Sequence, residues 1–147
     1  MRAVIQRVRN ASVTVNETIV GSCPFGLLIY VGIAKGDTEA DTAYGAKKIS
    51  GLRIFEDTAQ KMNLSLSDIN GSALIISQFT LLGDVRRGRR PSYDDSEHPE
   101  RALLLYTHFV HSMREQNIHC ETGIFGAPMS VTYTNEGPVT IFLDSKH

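Results

Sequence analysis

Cysteine is scarce in this sequence. Only two of the 147 residues are cysteines, Cys23 and Cys120, and they form no CxxC pair. Neither has a spacing to a histidine that is typical of a metal ligand set. This excludes the disulfide framework of small secreted proteins and predicts two reduced, packed thiols.

Long apolar runs and an excess of one charge are also lacking. No segment is apolar over the length that a bilayer requires. The opening MRAVIQRVRNASVTV alternates and carries Arg2, Arg7 and Arg9, which indicates a strand rather than a signal peptide, so we expect a cytoplasmic protein without membrane contact. The net charge of −1 excludes a global basic field, so an RNA partner would be held over a small area only.

Common catalytic motifs are absent as well. The chain has no GxSxG, HExxH, P-loop or GxGxxG sequence. His108 and His111 lie three residues apart on a predicted helix, but no third ligand accompanies them, which favours a solvated helix face over a metal site. We therefore predict neither a metal nor a cofactor. No repeat, linker or low-complexity tract divides the chain, so residues 1–147 form one predicted domain.

The pattern of elements predicts an α+β fold. Two strands turn near Asn16-Glu17, and the apolar run from 25 to 33 is a further strand covered on both faces. A helix is predicted from Asp37 or Thr38 to about Gly51, and an amphipathic helix begins at Pro99. The final strands are MSVTYT and PVTIFL. We expect a mostly antiparallel, barrel-like sheet with two main helices.

The stretch LIISQFTL, residues 74–81, is predicted as a strand that begins apolar and becomes polar. Ser77, Gln78, Phe79 and Thr80 either mark a strand leaving the core or form the floor of a pocket. In a pocket, their hydroxyl, amide and backbone N–H groups would hold an ester carbonyl and its oxyanion. Thr80 would be a nucleophile only beside a base, and the sequence offers no obvious one.

Two further segments allow both a structural and a functional interpretation. Asn135-Glu136-Gly137-Pro138 is suited to a turn, yet a Gly-Pro bond is also one of the few places where a cis peptide is tolerated, and it would present two carbonyl oxygens on one side. The loop RRGRR holds Arg86, Arg87, Arg89 and Arg90. It is either solvated or a short phosphate-contacting patch.

These segments resemble the D-aminoacyl-tRNA deacylase family. Residues 77–81 match its SQFTL signature, and residues 135–140 match its NxGPVT signature, which contains a Gly-cisPro pair. The opening strand, KMNLS and RRGRRPS also follow in the family's order, so the resemblance covers residues 1 to 143. It implies hydrolysis of the ester between a D-amino acid, or glycine, and the 3′-terminal adenosine of tRNA, which proofreads translation.

The resemblance also implies roles for individual residues. Members of the family form homodimers with their active sites at the interface. There Gly137 and Pro138 would enter the partner's pocket and exclude L-amino acids by steric clash. Arg7 would brace that turn, and Ser77 to Thr80 would hold the ester. The tRNA's own 2′-hydroxyl would assist, which requires RNA rather than DNA.

One position departs from the family. Phe125 and Met129 would form apolar walls, but Pro128 replaces the usual acidic residue before Met129, so no family role is transferred to it. Two other functions stay open at this stage. One is a non-catalytic RNA-binding module that uses Phe79 as a stacking platform, and the other is a general hydrolase of small esters.

Overall fold

A five-stranded mixed sheet carries two helices on one face. The computed structural model describes all 147 residues. Its elements are β1 (Arg2–Val15), β2 (Thr18–Gly32), α1 (Glu39–Ser50), β3 (Phe55–Glu56), β4 (Met62–Leu64), β5 (Ser72–Ser77), a 3-10 helix (Phe79–Leu82), α2 (Pro99–Glu115), β6 (His119–Thr122) and β7 (Ser130–Asp144). The strand order is β6-β5-β2-β1-β7, with β3 and β4 as a separate hairpin. The predicted α+β class is confirmed.

Strand β1 supplies the antiparallel part of the sheet. It pairs antiparallel with β2 and with β7, whereas β5 pairs in parallel with β2 and β6. The β1–β2 turn is where the sequence predicted it: Asn16 and Glu17 have φ values of 47° and 63°, which suit a tight hairpin turn. The two strands predicted after it are one, because β2 continues through Pro24 to Gly32.

Both predicted helices form. Thr38 caps α1 through a capping box with Asp41, and Pro99 occupies the first turn of α2, where its missing N–H costs no hydrogen bond. Buried side chains of both helices join a cluster on one face of the sheet that includes Ile49, Leu105 and Phe109. Cys120 lies in the same cluster, and burial raises the pKa of its thiol to about 11. Both cysteines are free and buried, as predicted.

The other face of the sheet has no helix over it. Its buried cluster is smaller, contains only strand residues such as Leu28, Leu74 and Ile76, and is partly covered by Met129, Val131 and Tyr133. Strand β7 has no fully buried residue along its 15 positions. This face and this edge are therefore the least covered parts of the sheet. Neither helix is long and apolar enough to cross a membrane.

Strand β5 ends earlier than LIISQFTL suggested. The residues from Ala73 to Ile76 are buried, Ser77 is the last strand residue, and Phe79 begins a 3-10 helix. The prediction that Gln78, Phe79 and Thr80 continue the strand is wrong. Backbone contacts explain the change: Gln78 N–H still donates to Val31 O at 2.8 Å, and Gln78 O then accepts from Leu81 N–H at 3.2 Å.

Candidate functional site

A cavity of about 710 Å³ lies beside the end of β5. Ser77, Gln78 and Phe79 line one part of it, and Phe125 and Met129 line another. Its volume is in the range of small-molecule sites. Five of the residues that the sequence singled out therefore share one concave space.

The end of β5 presents polar groups at this cavity. Because the first hydrogen bond of the 3-10 helix runs from Leu81 N–H to Gln78 O, the N–H groups of Phe79 and Thr80 have no intrahelical partner. Ser96 Oγ donates to Phe79 O at 3.3 Å and fixes the orientation of that peptide. The arrangement offers hydrogen-bond donors on a fixed backbone.

Thr80 itself does not line the cavity. Its hydroxyl accepts a hydrogen bond from the Gln78 side-chain amide, and no carboxylate or imidazole contacts it. An amide nitrogen cannot take up the proton of a hydroxyl nucleophile. The position of Thr80 therefore supplies no activated nucleophile.

An aromatic pair forms the rim. The rings of Phe79 and Tyr93 lie 5.0 Å apart at 68°, and their side chains are 56% and 38% exposed. Tyr93 was not among the residues predicted from the sequence, although an aromatic residue just after a basic loop is a usable signal. Exposed rings at a cavity mouth provide apolar contact area for a planar group such as a base.

The opposite wall follows β6. The ring of Phe125 lies 6.0 Å from that of Tyr106, which anchors it to α2. Gly123 leaves room for Met129, because a Cβ at that position would lie against Met129 Sδ. Pro128, where the sequence departs from the family pattern, does not line the cavity, although its neighbours Ala127 and Met129 do.

The Gly137-Pro138 turn lies within β7, which forms one edge of the sheet. Gln6 pairs with Thr140 and Val8 pairs with Asn135, so the four residues 136–139 bulge opposite Arg7. The Asn135 amide closes this bulge by donating to Arg7 O at 3.1 Å and to Val139 O at 3.0 Å. The Gly137–Pro138 bond is cis, and both residues are exposed.

The buried Arg7 side chain holds the bulge through hydrogen bonds. It is only 6% exposed, and its guanidinium donates to Glu136 O at 3.2 Å and to Ile54 O at 2.6 Å. A Cβ at Gly137 would lie 2.5 Å from Arg7 Nη2, and Gly137 has a φ of 111°. Glycine is therefore required by both space and backbone conformation.

The turn and the cavity are not adjacent within one chain. Within the sheet, strands β2 and β1 lie between β5, whose end lines the cavity, and β7, which carries the turn. Val131, near the start of β7, lines the cavity, whereas Gly137 lies six residues further along that strand. Gly137, Pro138 and Arg7 do not line the cavity. A chain on its own thus holds the two features apart.

Four ionisable groups that were not predicted from the sequence also line the cavity. They are Lys35, Asp94, Glu97 and His98. The Glu97 carboxylate already has partners, because it pairs with Arg101 at 3.3 Å and accepts a hydrogen bond from the His98 N–H at 2.8 Å. Lys35 has no acidic partner within 4.0 Å. Nothing in the local sequence distinguishes Lys35, which the fold brings to the cavity.

The basic loop lies next to Tyr93. Arg86 binds Asp84 with two nitrogens, and this contact lowers the pKa of Asp84 to about 2. Arg87, Arg89 and Arg90 are exposed and form no hydrogen bond or ion pair. The loop therefore has three free guanidinium groups rather than four.

The histidines of α2 are not arranged for a metal. His108 Nδ1 lies 2.7 Å from Thr42 Oγ1, which itself donates to Glu39 O, and His111 lies 3.2 Å from Glu115. His108 is half-buried against α1, so the prediction of a solvated helix face holds only for His111. No group of three or more potential ligands occurs in the protein.

The chain is similar to known proteins over nearly its whole length. A family model described as D-Tyr-tRNA(Tyr) deacylase matches residues 4–144. D-aminoacyl-tRNA deacylases from Thermosipho melanesiensis and Bacillus cereus are 58% and 54% identical, covering 99% of this chain and 98% and 100% of those proteins.

Two solved structures share the architecture. One, titled c-Myc DNA Unwinding Element Binding Protein, has a TM-score of 0.91 at 36% identity over 98% of both chains. The other, a probable eukaryotic D-amino acid tRNA deacylase, has a TM-score of 0.85 at 18% identity over 97% of both chains, a likeness of fold.

Proposed function

Since this chain belongs to the D-Tyr-tRNA(Tyr) deacylase family and is a D-aminoacyl-tRNA deacylase, a hydrolase, we propose that its cavity receives the ester and terminal adenosine of the substrate. The observation that carries this proposal is the end of β5, where Ser77, Gln78 and Phe79 line a cavity that has both apolar and ionisable side chains on its other walls. The rings of Phe79, Tyr93 and Phe125 supply surface for the adenine, and the polar groups supply hydrogen bonds for the ester.

The proposed chemistry uses orientation rather than a protein nucleophile. Water adds to the ester carbonyl carbon, the bond to the ribose oxygen breaks, and that oxygen leaves as the tRNA hydroxyl. The N–H group of Phe79, a residue that lines the cavity, stabilises the oxyanion as it forms. The neighbouring 2′-hydroxyl of the ribose assists the proton transfer, which agrees with the absence of a base at Thr80.

Selection against L-amino acids comes, in this proposal, from a second copy of the chain. The carbonyl oxygens of Gly137 and Pro138 of that copy occupy the space that an L side chain needs, which rejects the L ester by collision. Arg7 and Asn135 support a fixed position for these oxygens. Glycine has no side chain to collide, so glycyl-tRNA is also a proposed substrate.

The uncovered side of the sheet supports such a homodimer. Phe142, Val4, Tyr30 and Ile76 are register neighbours on β7, β1, β2 and β5. They form an apolar row on the face without helices, and Phe142 at its outer end is 61% exposed. Ile76, at its inner end, lines the cavity. A partner that covers this row would lie directly beside the site.

Hydrolysis of matched substrates tests the function. We expect rapid loss of the ester from D-tyrosyl-tRNA and little from L-tyrosyl-tRNA. Equal stability of both esters would favour the RNA-binding module, and rapid cleavage of simple esters without RNA would favour a general esterase. D-Tyrosyl-tRNA ending in 2′-deoxyadenosine should react much more slowly, and an unchanged rate would remove the assisted mechanism.

A further inference from the structure

Lys35 is the only lysine or arginine that lines the cavity. Its side chain is exposed, and no carboxylate lies within salt-bridge distance of it. Of the acidic groups that line the cavity, Glu97 pairs with Arg101, whereas Asp94 accepts from the Ser92 hydroxyl at 2.7 Å and keeps its negative charge. The cavity thus contains one cation that forms no ion pair, at a position that the ester chemistry does not use.

The backbone around Lys35 connects it to the basic loop. Lys35 N–H donates to Asp95 O at 2.9 Å, and Ala34 forms a β-bridge with Ser96. Asp84 and Ser92 exchange two backbone hydrogen bonds of 2.8 and 3.0 Å, which close the loop between them. Both ends of the loop are therefore attached to the cavity wall.

The charges of this loop point to the same kind of ligand. Arg86 is neutralised by Asp84, whereas Arg87, Arg89 and Arg90 have no protein partner. Three free guanidiniums outside the cavity and one free ammonium inside it suit a chain of negative groups that enters through the mouth. A guanidinium is well matched to phosphate oxygens, and an ammonium binds phosphate as a point charge.

We propose that Lys35, Arg87, Arg89 and Arg90 form a track for the backbone phosphates of the single-stranded 3′ end of the substrate RNA. Lys35 contacts the phosphate nearest the terminal adenosine, and the three arginines contact those that precede it. This inference rests on the proposed function, because the adenosine must occupy the cavity for Lys35 to meet that phosphate. It also explains how a chain with net charge −1 binds RNA.

Equilibrium binding of an uncharged hairpin RNA with a single-stranded CCA end tests the track without depending on turnover. Fluorescence anisotropy gives Kd from 0.05 to 0.5 M salt. For a single strand, each lost phosphate contact reduces the slope of log K against log salt by about 0.7. We therefore expect a reduction of about 0.7 for Lys35→Met and of about 2 when Arg87, Arg89 and Arg90 are all changed to methionine.

Two control variants separate this track from general charge effects. Arg86→Met removes a positive charge from the same loop, and the Lys47→Met, Lys48→Met pair removes two from α1; both should keep the wild-type slope. A wild-type slope in Lys35→Met, or an equal reduction in the controls, would overturn the proposal. Failure of the wild-type protein to hydrolyse D-tyrosyl-tRNA would instead contradict the proposed function, which is a separate measurement.

Discussion

Thr80 and Ser77 are the two hydroxyl residues of the SQFTL segment, and only Ser77 lines the cavity. The Thr80 hydroxyl accepts from Gln78 and has no base beside it. We predict that Thr80→Val keeps the single-turnover rate within about tenfold of wild type, since the Thr80 hydroxyl takes no part in the proposed chemistry. A loss of about a thousandfold or more, with unchanged binding and with activity kept in Thr80→Ser, would identify a nucleophile.

Arg7 and Arg9 both contact Glu136 and so form a matched pair. Arg7 is buried and donates to Glu136 O, whereas Arg9 is half-exposed and pairs with the Glu136 carboxylate at 2.9 Å. We predict that Arg7→Met raises hydrolysis of L-tyrosyl-tRNA relative to the D ester, because the bulge loses its support. It should also lower stability by about 1–3 kcal/mol, since carbonyl groups lose their donor.

Arg9→Met serves as the control for that change. Its ion pair is largely exposed and contributes roughly 0–1 kcal/mol, so the ratio of D to L rates should stay that of wild type. Rates for both esters, measured below the unfolding temperature of each variant, decide the matter. An unaltered ratio in folded Arg7→Met would show that Arg7 stabilises the chain without positioning the turn.

At the scale of secondary-structure elements, the sequence predicted the turns and helix ends that depend on neighbouring residues. The Asn16-Glu17 turn, the Thr38 cap and Pro99 at the start of α2 each depend on neighbouring residues, and all three are confirmed. The predicted end of β5 was wrong. Alternation continues to Leu81 in the sequence, but the Leu81 N–H donates to Gln78 O and turns the chain into the 3-10 helix. Likewise, MSVTYT and PVTIFL are one strand, since Asn135 closes the bulge between them.

The cap of α1 gives a prediction about stability and pH. Burial would raise the pKa of Asp41, but hydrogen bonds from Lys146 and from the N–H and hydroxyl of Thr38 lower it below its usual range. The folded state therefore favours the carboxylate, and its contribution is present above about pH 4, where the unfolded chain ionises, and is lost as pH falls through the folded pKa.

Asp41→Asn should accordingly lower the free energy of unfolding by about 1 kcal/mol at pH 7. The difference from wild type should shrink as the pH falls below about 4. Urea unfolding at pH 7, 5, 4 and 3 measures it, and Glu39→Gln, which changes an exposed acid in the same helical turn, should show little effect. A difference that persists undiminished at pH 3 would rule out the carboxylate as its source.

For the whole molecule, the sequence predicted the α+β class, a pocket beside residues 77–80 and five of the residues that line it, but not the other residues of its walls. Lys35 follows β2, Tyr93 follows the basic loop and Phe125 follows β6, so only the strand order brings them together. Long-range contacts of this kind leave no local pattern. The sequence around Gly137 likewise indicates a special turn, but it does not indicate which cavity that turn meets.

A mixed dimer tests which pocket the turn meets. One subunit carries Ala127→Trp, which fills its own cavity, and the other carries Gly137→Ala, which disturbs its own turn through the clash with Arg7. If turns act across the interface, the one open cavity receives the intact turn of the Trp subunit. The mixed dimer, purified through two different affinity tags and sized as a dimer, should then hydrolyse D-tyrosyl-tRNA and reject L-tyrosyl-tRNA.

If turns acted within their own chain, the same open cavity would have the damaged turn, and the mixed dimer would accept both esters. The Gly137→Ala homodimer provides the reference for that relaxed behaviour. Gly88→Ala, at another glycine of positive φ with open space around it, controls for backbone strain alone. A monomeric wild-type protein that discriminates fully would contradict the cross-subunit model, because within one chain neither Gly137 nor Pro138 lines the cavity.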